Sequence, residues 1–269
     1  MTRSVVALLL IVCAVSADAK TRSRKGSSRA KKPYCTDVKT IADCKPEGCS
    51  KTPGDTKNFD PKLNEQKNRF DENNQPPVDR TIGWMKSLQD PQNFTEENKD
   101  DRSELQRLGE GTKIRVVAWV LAVRHEGQET CNCGLLSPSG KDTETDNHIV
   151  LIDPGIKNPK RECLECNSIT AEFTPRVRRN HHPNFTYEKL FPLINKSPPI
   201  RPSWKGGKLD KALLARLTGY LLFDSHHFLN SALVRENNWE IHPVLHFEYC
   251  PSGDCKADSD QGWKDLERD

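Results

Sequence analysis

The segment Trp239-Glu-Ile-His-Pro-Val-Leu-His-Phe-Glu-Tyr249 has the alternation of apolar and polar side chains that is typical of a β-strand with one buried face. Its apolar face is marked by Trp239, Ile241, Leu245, Phe247 and Tyr249, and its polar face by Glu240, His242, His246 and Glu248. The segment Ser168-Ile-Thr-Ala-Glu-Phe-Thr-Pro-Arg176 alternates in the same way, which predicts a second strand with Glu172 and Arg176 on its polar face.

Three further segments, residues 113–123, 146–153 and 212–224, favour strands, and residues 186–194 favour a short helix. The resulting order is three strands, one helix and two strands, which is the order of an OB-fold. We therefore predict a mainly β protein over residues 111–250: an OB-like five-stranded barrel with one helix between strands 3 and 4. The alternative is a β-sandwich or half-barrel with a similar core.

The chain outside the predicted barrel is polar. Only 34% of the 269 residues are hydrophobic and 29% are charged, which is too polar for one core over the whole length. Residues 20–110 are predicted to form a polar, partly disordered N-terminal arm, and residues 251–269 a C-terminal tail. Within the arm, the apolar patch at 82–88 is expected to dock on the barrel, and Thr95 resembles a helix start.

The first 19 residues read as a signal peptide, which predicts a secreted protein. Arg3 precedes an apolar run at 5–15, and Ala17-Asp-Ala19 is a small-residue cleavage site. The run is too short for a membrane anchor, the alternative reading. The basic run at 20–32 is expected to be disordered. Three glycosylation sequons, which matter only in a eukaryotic secretory pathway, are at Asn93, Asn184 and Asn195.

Nine cysteines remain after removal of the signal peptide, and in a secreted protein they favour disulfides. They are Cys35, Cys44, Cys49, Cys131, Cys133, Cys163, Cys166, Cys250 and Cys255. The odd number leaves one thiol free or paired with another chain. A zinc site at Cys131, Cys133, Cys163 and Cys166 is the alternative.

The polar faces of the second, third and fifth predicted strands are the leading candidate site. In an OB-fold the third and fifth strands are neighbours, so the site is expected on the outer surface of the barrel. The candidate ligand-binding residues are His148, Glu172, Arg176, Glu240 and His242. Carboxylates beside histidine can bind a divalent metal, and the candidate metal ligands are Asp146, His148, Glu172 and His242. The alternative is a solvated face with cross-strand ion pairs.

A second candidate site lies in the connection before the last strand, at Asp224, His227 and Arg235. The sequence contains no glycine-rich phosphate loop, no G-x-S-x-G nucleophile and no H-E-x-x-H motif. Common nucleotide hydrolases, α/β-hydrolases and zincin proteases are therefore disfavoured.

Several motifs resemble those of a group of mostly bacterial proteins without an assigned activity. The matching strings include Asp60-Pro-Lys-Leu-Asn-Glu-Gln-Lys-Asn-Arg69, Glu129-Thr-Cys-Asn-Cys133, Leu217-Thr-Gly-Tyr-Leu-Leu-Phe-Asp224 and Trp239-Glu-Ile-His-Pro-Val244, of which the last is the most specific. The resemblance covers about residues 60–249. It lends no catalytic residue, and it implies that the conspicuous polar pairs belong to one shared face.

Three functions are compatible with this sequence. The first expectation is a secreted barrel that binds a polar or anionic polymer, either nucleic acid or glycan. The second is a metal-assisted phosphodiesterase or nuclease on the same scaffold. The third is a structural extracellular protein stabilised by disulfides, without catalysis.

Overall fold

The computed structural model describes residues 34–52, 59–70, 75–138, 141, 143–156, 165–197, 211–230 and 234–269. The helices are α1 Pro61–Lys67, α2 Ile82–Lys86, α3 Ser103–Leu108, α4 Pro175–Asn180, α5 Tyr187–Lys196 and α6 Ser225–Asn230. The strands are β1 Val78–Thr81, β2 Lys113–His125, β3 Asn147–Ile152, β4 Ile169–Phe173, β5 Leu213–Phe223, β6 Trp239–Cys250 and β7 Lys264–Asp265. The predicted signal peptide and the basic run lie outside the described residues.

Five strands close into a barrel in the order β2-β3-β4-β6-β5, with β5 pairing back onto β2. The β4–β6 pair is parallel, and the other four barrel pairs are antiparallel. Because β2 to β6 are the five predicted strands in chain order, the mainly β, OB-like five-stranded barrel is confirmed. Two short strands extend it: β1 pairs with β2, and β7 of the C-terminal tail pairs with β6.

The barrel interior is filled by the apolar positions that define the strand pattern. Ile169, Ala171 and Phe173 of β4 are fully buried, as are Trp239 and Ile241 of β6. Side chains alternate with period two along a strand, so filling the interior with these residues sends their even-numbered neighbours to the outer face. The register of the core therefore fixes which polar groups can meet outside the barrel.

The third barrel strand is shorter than the sequence pattern predicts. β4 ends at Phe173 because Pro175 starts α4, where a proline loses no hydrogen bond and has a suitable φ. The Thr174 hydroxyl caps this helix by accepting a hydrogen bond from the Val177 amide at 3.3 Å. The prediction that Arg176 continues the strand is therefore wrong. The described part of the connection to β5 holds two helices, α4 and α5, where one was predicted.

The described part of the N-terminal arm packs against the barrel. Phe59 and Met85 are fully buried, so the predicted docking of the apolar patch at 82–88 is confirmed. The predicted helix start at Thr95 is wrong, because residues 96–100 form turns and α3 begins at Ser103. The polar arm thus supplies both core residues and a cover for part of the outer barrel face.

The described cysteines are mostly in disulfides. Three pairs are complete: Cys35–Cys49, Cys44–Cys133 and Cys250–Cys255. Cys166 is also disulfide-bonded, Cys163 lies outside the described residues, and among the described cysteines Cys131 is a free, buried thiol. Since Cys133 is bonded to Cys44, the alternative of four zinc-binding thiols is wrong. Within the described ranges, no helix is both long enough and apolar enough to span a membrane.

Candidate functional site

Three strands bring four polar side chains together on one side of the barrel. Parallel pairing sets Thr170 of β4 beside Glu240 of β6. The His242 Nδ1 then lies 3.1 Å from Glu240 Oε1 and 3.2 Å from Glu172 Oε2. On the other side of the ring, His242 Nε2 lies 3.8 Å from Asp146 Oδ2. The structure thus places Asp146, Glu172 and Glu240 around one imidazole.

This polar cluster is buried, whereas the sequence pattern predicted a solvated outer surface. The His242, Glu240 and Asp146 side chains have no exposed area, and Glu172 is 7% exposed. A closely packed segment supplies the reason: α1 contacts β6, and Asn68 at its end donates a hydrogen bond to the Cys131 carbonyl at 2.9 Å. The alternation of side chains along the strands correctly predicted that these residues share one face. It could not predict which segment covers that face.

Two of the candidate residues lie outside this cluster. Arg176, displaced onto α4, donates a hydrogen bond to the Cys44 carbonyl at 2.7 Å. His148 lies opposite Glu172 in the β3–β4 register. Its ring contacts Glu126 Oε1 at 3.1 Å and Thr170 Oγ1 at 3.1 Å. The structure therefore gives both residues partners of their own.

The second candidate site, in the loop, is joined to the strand cluster. His227 Nδ1 lies 2.6 Å from Asp224 Oδ2, and Arg235 Nη2 lies 3.1 Å from the same oxygen. The other end of the Arg235 guanidinium lies 2.8 Å from Glu240 Oε2. Because Glu240 also contacts His242, one continuous chain of polar contacts runs from His227 to the buried imidazole.

Three further residues complete the site, and strand parity could not have identified them. Lys67 at the end of α1 lies 3.4 Å from both carboxylate oxygens of Glu129. The thiol of Cys131 lies 3.0 Å from Glu129 Oε2 and 3.9 Å from Asp146 Oδ2. These residues come from a helix and a turn, and their sequence signal was their place in two strings of the resemblance, Asp60–Arg69 for Lys67 and Glu129–Cys133 for the other two.

A polar pocket of about 330 Å³ opens onto this part of the site. Its lining includes Lys67, Glu129, Cys131, Asp224 and His227. The His227 side chain is 45% exposed, while Asp224 beneath it is 3% exposed. A solute in the pocket would therefore meet a histidine held by a buried carboxylate.

The carboxyl groups of the cluster have unusual acidities. Burial, together with the charges of Glu129 and Glu172, raises the pKa of Asp146 well above its ordinary value. Burial also raises the pKa of Glu172 to about 8, against the opposing effect of His242. Burial alone would raise the pKa of Glu129. The charge of Lys67 and hydrogen bonds from Asp146 and Cys131 outweigh that effect and lower the pKa to about 2. Asp146 and Glu172 therefore keep their protons at pH values at which an ordinary carboxyl group is ionised.

Several atoms of the cluster are buried without a hydrogen-bond partner in the described part of the chain. They are Asp146 Oδ1, Glu172 Oε2 and His242 Nε2. The imidazole Nδ1 bonds to Glu240, so its contact with Glu172 is electrostatic and not a hydrogen bond. One ligand atom from each of Asp146, Glu172 and His242 fits within 4.8 Å of the others. Buried polar groups are rarely left unpaired, so this donor set is suited to a divalent cation.

Comparison of the chain with protein-family models, with curated proteins and with solved structures gives no match. A function must therefore be inferred from the chemistry of the site.

Proposed function

We propose that the protein is a divalent-cation-dependent phosphodiesterase, with the cation held by Asp146, Glu172 and His242. The observation that carries the proposal is that three ligand atoms of this buried cluster have no hydrogen-bond partner among the residues that the structure describes. A buried polar atom without a partner costs about 1–3 kcal/mol, so three together favour a missing ligand over chance. Two carboxylates and one imidazole are a common donor set for zinc and other divalent ions.

The charge of the cluster supports a cation. Five described carboxyl groups lie in the connected network, on Glu129, Asp146, Glu172, Asp224 and Glu240. Lys67 and Arg235 supply two fixed positive charges to it. Without a further cation, the excess negative charge is relieved by protonation of Asp146 and Glu172, as their raised pKa values indicate. A divalent cation would take the place of those protons.

The pocket supports a phosphate ester as the substrate. Lys51 and Lys67 line it and suit an anionic group, and the Asp224–His227 pair offers a general acid or base. The pKa of His227 is raised by its hydrogen bond to Asp224, which keeps a proton available for a leaving group near neutral pH. A divalent cation would supply an activated water and polarise a phosphoryl group, and Cys131, which lines the pocket 3.9 Å from Asp146, connects the buried ligands with it. The role of Asp224 is to orient the imidazole and to stabilise its charged form.

The other expectations remain open and differ in what they require. Polymer binding needs an open, positively charged face, whereas the polar faces of β4 and β6 are buried next to α1. A purely structural protein does not need unpartnered buried ligand atoms. Secretion stays part of the proposal, supported by the three disulfides, which are typical of oxidising compartments.

The test uses the purified protein treated with chelator and then supplied with zinc, manganese or magnesium. Hydrolysis of bis(p-nitrophenyl) phosphate and of a single-stranded oligonucleotide is followed for wild type, Asp146→Asn, Glu172→Gln and His246→Gln. His246 lies on the same strand as His242 with a side chain 43% exposed, so it is the matched control. We expect metal-dependent turnover that is lost in the first two variants and retained in the control.

Each alternative has its own outcome in this experiment. Oligonucleotide or glycan binding without bound metal or turnover would favour a polymer-binding barrel. Neither binding nor turnover would favour a structural protein. Equal metal affinity in wild type and Glu172→Gln would overturn the ligand assignment.

A further inference from the structure

A second group of ligand atoms adjoins Asp146, whose Oδ2 is also the oxygen nearest to His242 Nε2. Glu129 Oε2 and the Cys131 thiol are 3.0 Å apart, and the thiol is 3.9 Å from Asp146 Oδ2. These three side chains also place one ligand atom each within 4.8 Å of the others. Asp146 is therefore common to two groups of three, one with Glu172 and His242 and one with Glu129 and Cys131.

We propose that Asp146 bridges two cations, and that the second, held by Glu129, Cys131 and Asp146, is zinc or another thiol-preferring divalent ion. The inference rests on the proposed function for the first cation position. Carboxylates that bridge two metals about 3.5–4 Å apart are a recurrent device in phosphoester hydrolysis, where the pair stabilises the attacking and the leaving oxygen.

The distances fit this assignment. Zinc bonds of about 2.3 Å to sulfur and 2.1 Å to oxygen at a tetrahedral angle place the two ligand atoms roughly 3.6 Å apart. The distances from Cys131 Sγ to the two carboxylates are both within about 0.6 Å of that separation. The unpartnered Asp146 Oδ1 gives the bridging carboxylate a free oxygen.

The thiol makes the second position chemically different from the first. Cys131 is fully buried, and burial together with Glu129 and Asp146 raises its pKa. The thiol is therefore a poor nucleophile without a cation. A coordinated thiol, by contrast, loses its proton, and thiolate ligands select zinc over magnesium or manganese.

Lys67 has a defined part in this arrangement. Its ammonium nitrogen lies 3.4 Å from a carboxylate oxygen of Glu129 and neutralises its charge. It also lines the pocket, with a side chain 8% exposed. Once a cation neutralises Glu129, the ammonium is released to bind the phosphate of a substrate.

The test measures stoichiometry and spectrum with zinc and cobalt(II) ions alone, without any substrate. Equilibrium dialysis should give two zinc ions per wild-type chain and one in Cys131→Ser and in Glu129→Gln. Cobalt(II) should give a thiolate-to-metal charge-transfer band that Cys131→Ser abolishes and Glu172→Gln retains. Circular dichroism of each variant establishes that it is folded.

The outcomes separate this inference from the proposed function. One cation per wild-type chain, or two without the thiolate band, would overturn the bridged pair. In that case, metal-dependent turnover would still support the single cation at Asp146, Glu172 and His242. Binding of no cation at all would overturn both. Because the wild-type spectrum alone carries the decisive signal, the test does not depend on the folding of a variant.

Discussion

Replacing Glu172 by glutamine should stabilise the cation-free protein at alkaline pH. Its pKa is raised from 4.5 to about 8, mainly by burial. Between these two values the folded chain holds a proton on Glu172 that the unfolded chain has released, so the free energy of unfolding falls as pH rises. The full change corresponds to about 5 kcal/mol at 1.36 kcal/mol per pKa unit. Because protons can rearrange among Glu172, Asp146 and His242, we expect roughly half of that.

The measurement is urea-induced unfolding of chelator-treated wild type and Glu172→Gln at pH 5.5 and pH 8.5. Between these two pH values the full effect is about 3 kcal/mol, so wild type should lose about 1.5–2 kcal/mol because of Glu172, and the variant should lack that loss. Adding zinc at pH 8.5 should stabilise wild type by more than the variant, because the variant keeps only the ligand set of Glu129, Cys131 and Asp146. Glu188→Gln on α5, with a side chain 43% exposed, is the control and should shift stability by less than about 0.5 kcal/mol.

One result would refute this reasoning directly. If Glu172→Gln is less stable than wild type by the same amount at both pH values, Glu172 acts as an ordinary buried hydrogen-bonding group. The cluster would then have no excess negative charge for a cation to relieve.

Three further perturbations test the fold around the site. Arg235→Met removes the guanidinium that contacts the buried carboxylates of Asp224 and Glu240 and should lower the free energy of unfolding by about 3–5 kcal/mol in urea titrations; a loss below 1 kcal/mol would mean that Arg235 does not hold them. Gly219→Ala places a Cβ 2.5 Å from atoms of β6 and should cost about 1–3 kcal/mol in thermal unfolding, whereas an unchanged Tm would contradict the close β5–β6 contact. Burial opposes ionisation of Glu248, but hydrogen bonds from neighbouring side chains lower its pKa to about 2, so it stabilises the fold above pH 4.5 and loses this effect as pH falls to 2. Glu248→Gln should therefore cost about 1 kcal/mol at pH 6 and nothing at pH 2, and an equal cost at both would exclude a role for its charge.

The barrel could be predicted because the local sequence of each strand shows that it is a strand. In β4 and β6 the apolar side chains recur at every second position, so the sequence defined both the strands and the face that each residue occupies. The same parity predicted that Glu172, Glu240 and His242 share one face, and the structure brings them into contact. It failed at Arg176, where the proline before it converts the end of a strand into a helix.

The rest of the site could not be predicted from local patterns. Lys67 reaches Glu129 across 62 positions of the chain. The Arg235 contact with Glu240 depends on the path of a loop, which hydrophobic periodicity does not define. Burial of the polar face is likewise a property of packing between distant segments. What strand parity could supply was a set of candidates, of which Asp146, Glu172, Glu240 and His242 converge.

The Cys44–Cys133 disulfide has a consequence for the size of any molecule that reaches the centre. It fastens the start of the arm to the turn that carries Glu129 and Cys131, two of the residues that line the pocket. Because this segment, which contributes Lys51 to the pocket wall, is covalently attached, the wall cannot move far enough to admit a bulky molecule. A volume of about 330 Å³ is at the small end of the range for ligand sites, roughly 300–1,000 Å³. The pocket would thus accept a small ester or the terminal unit of a polymer chain, and it would exclude an internal segment of a double helix.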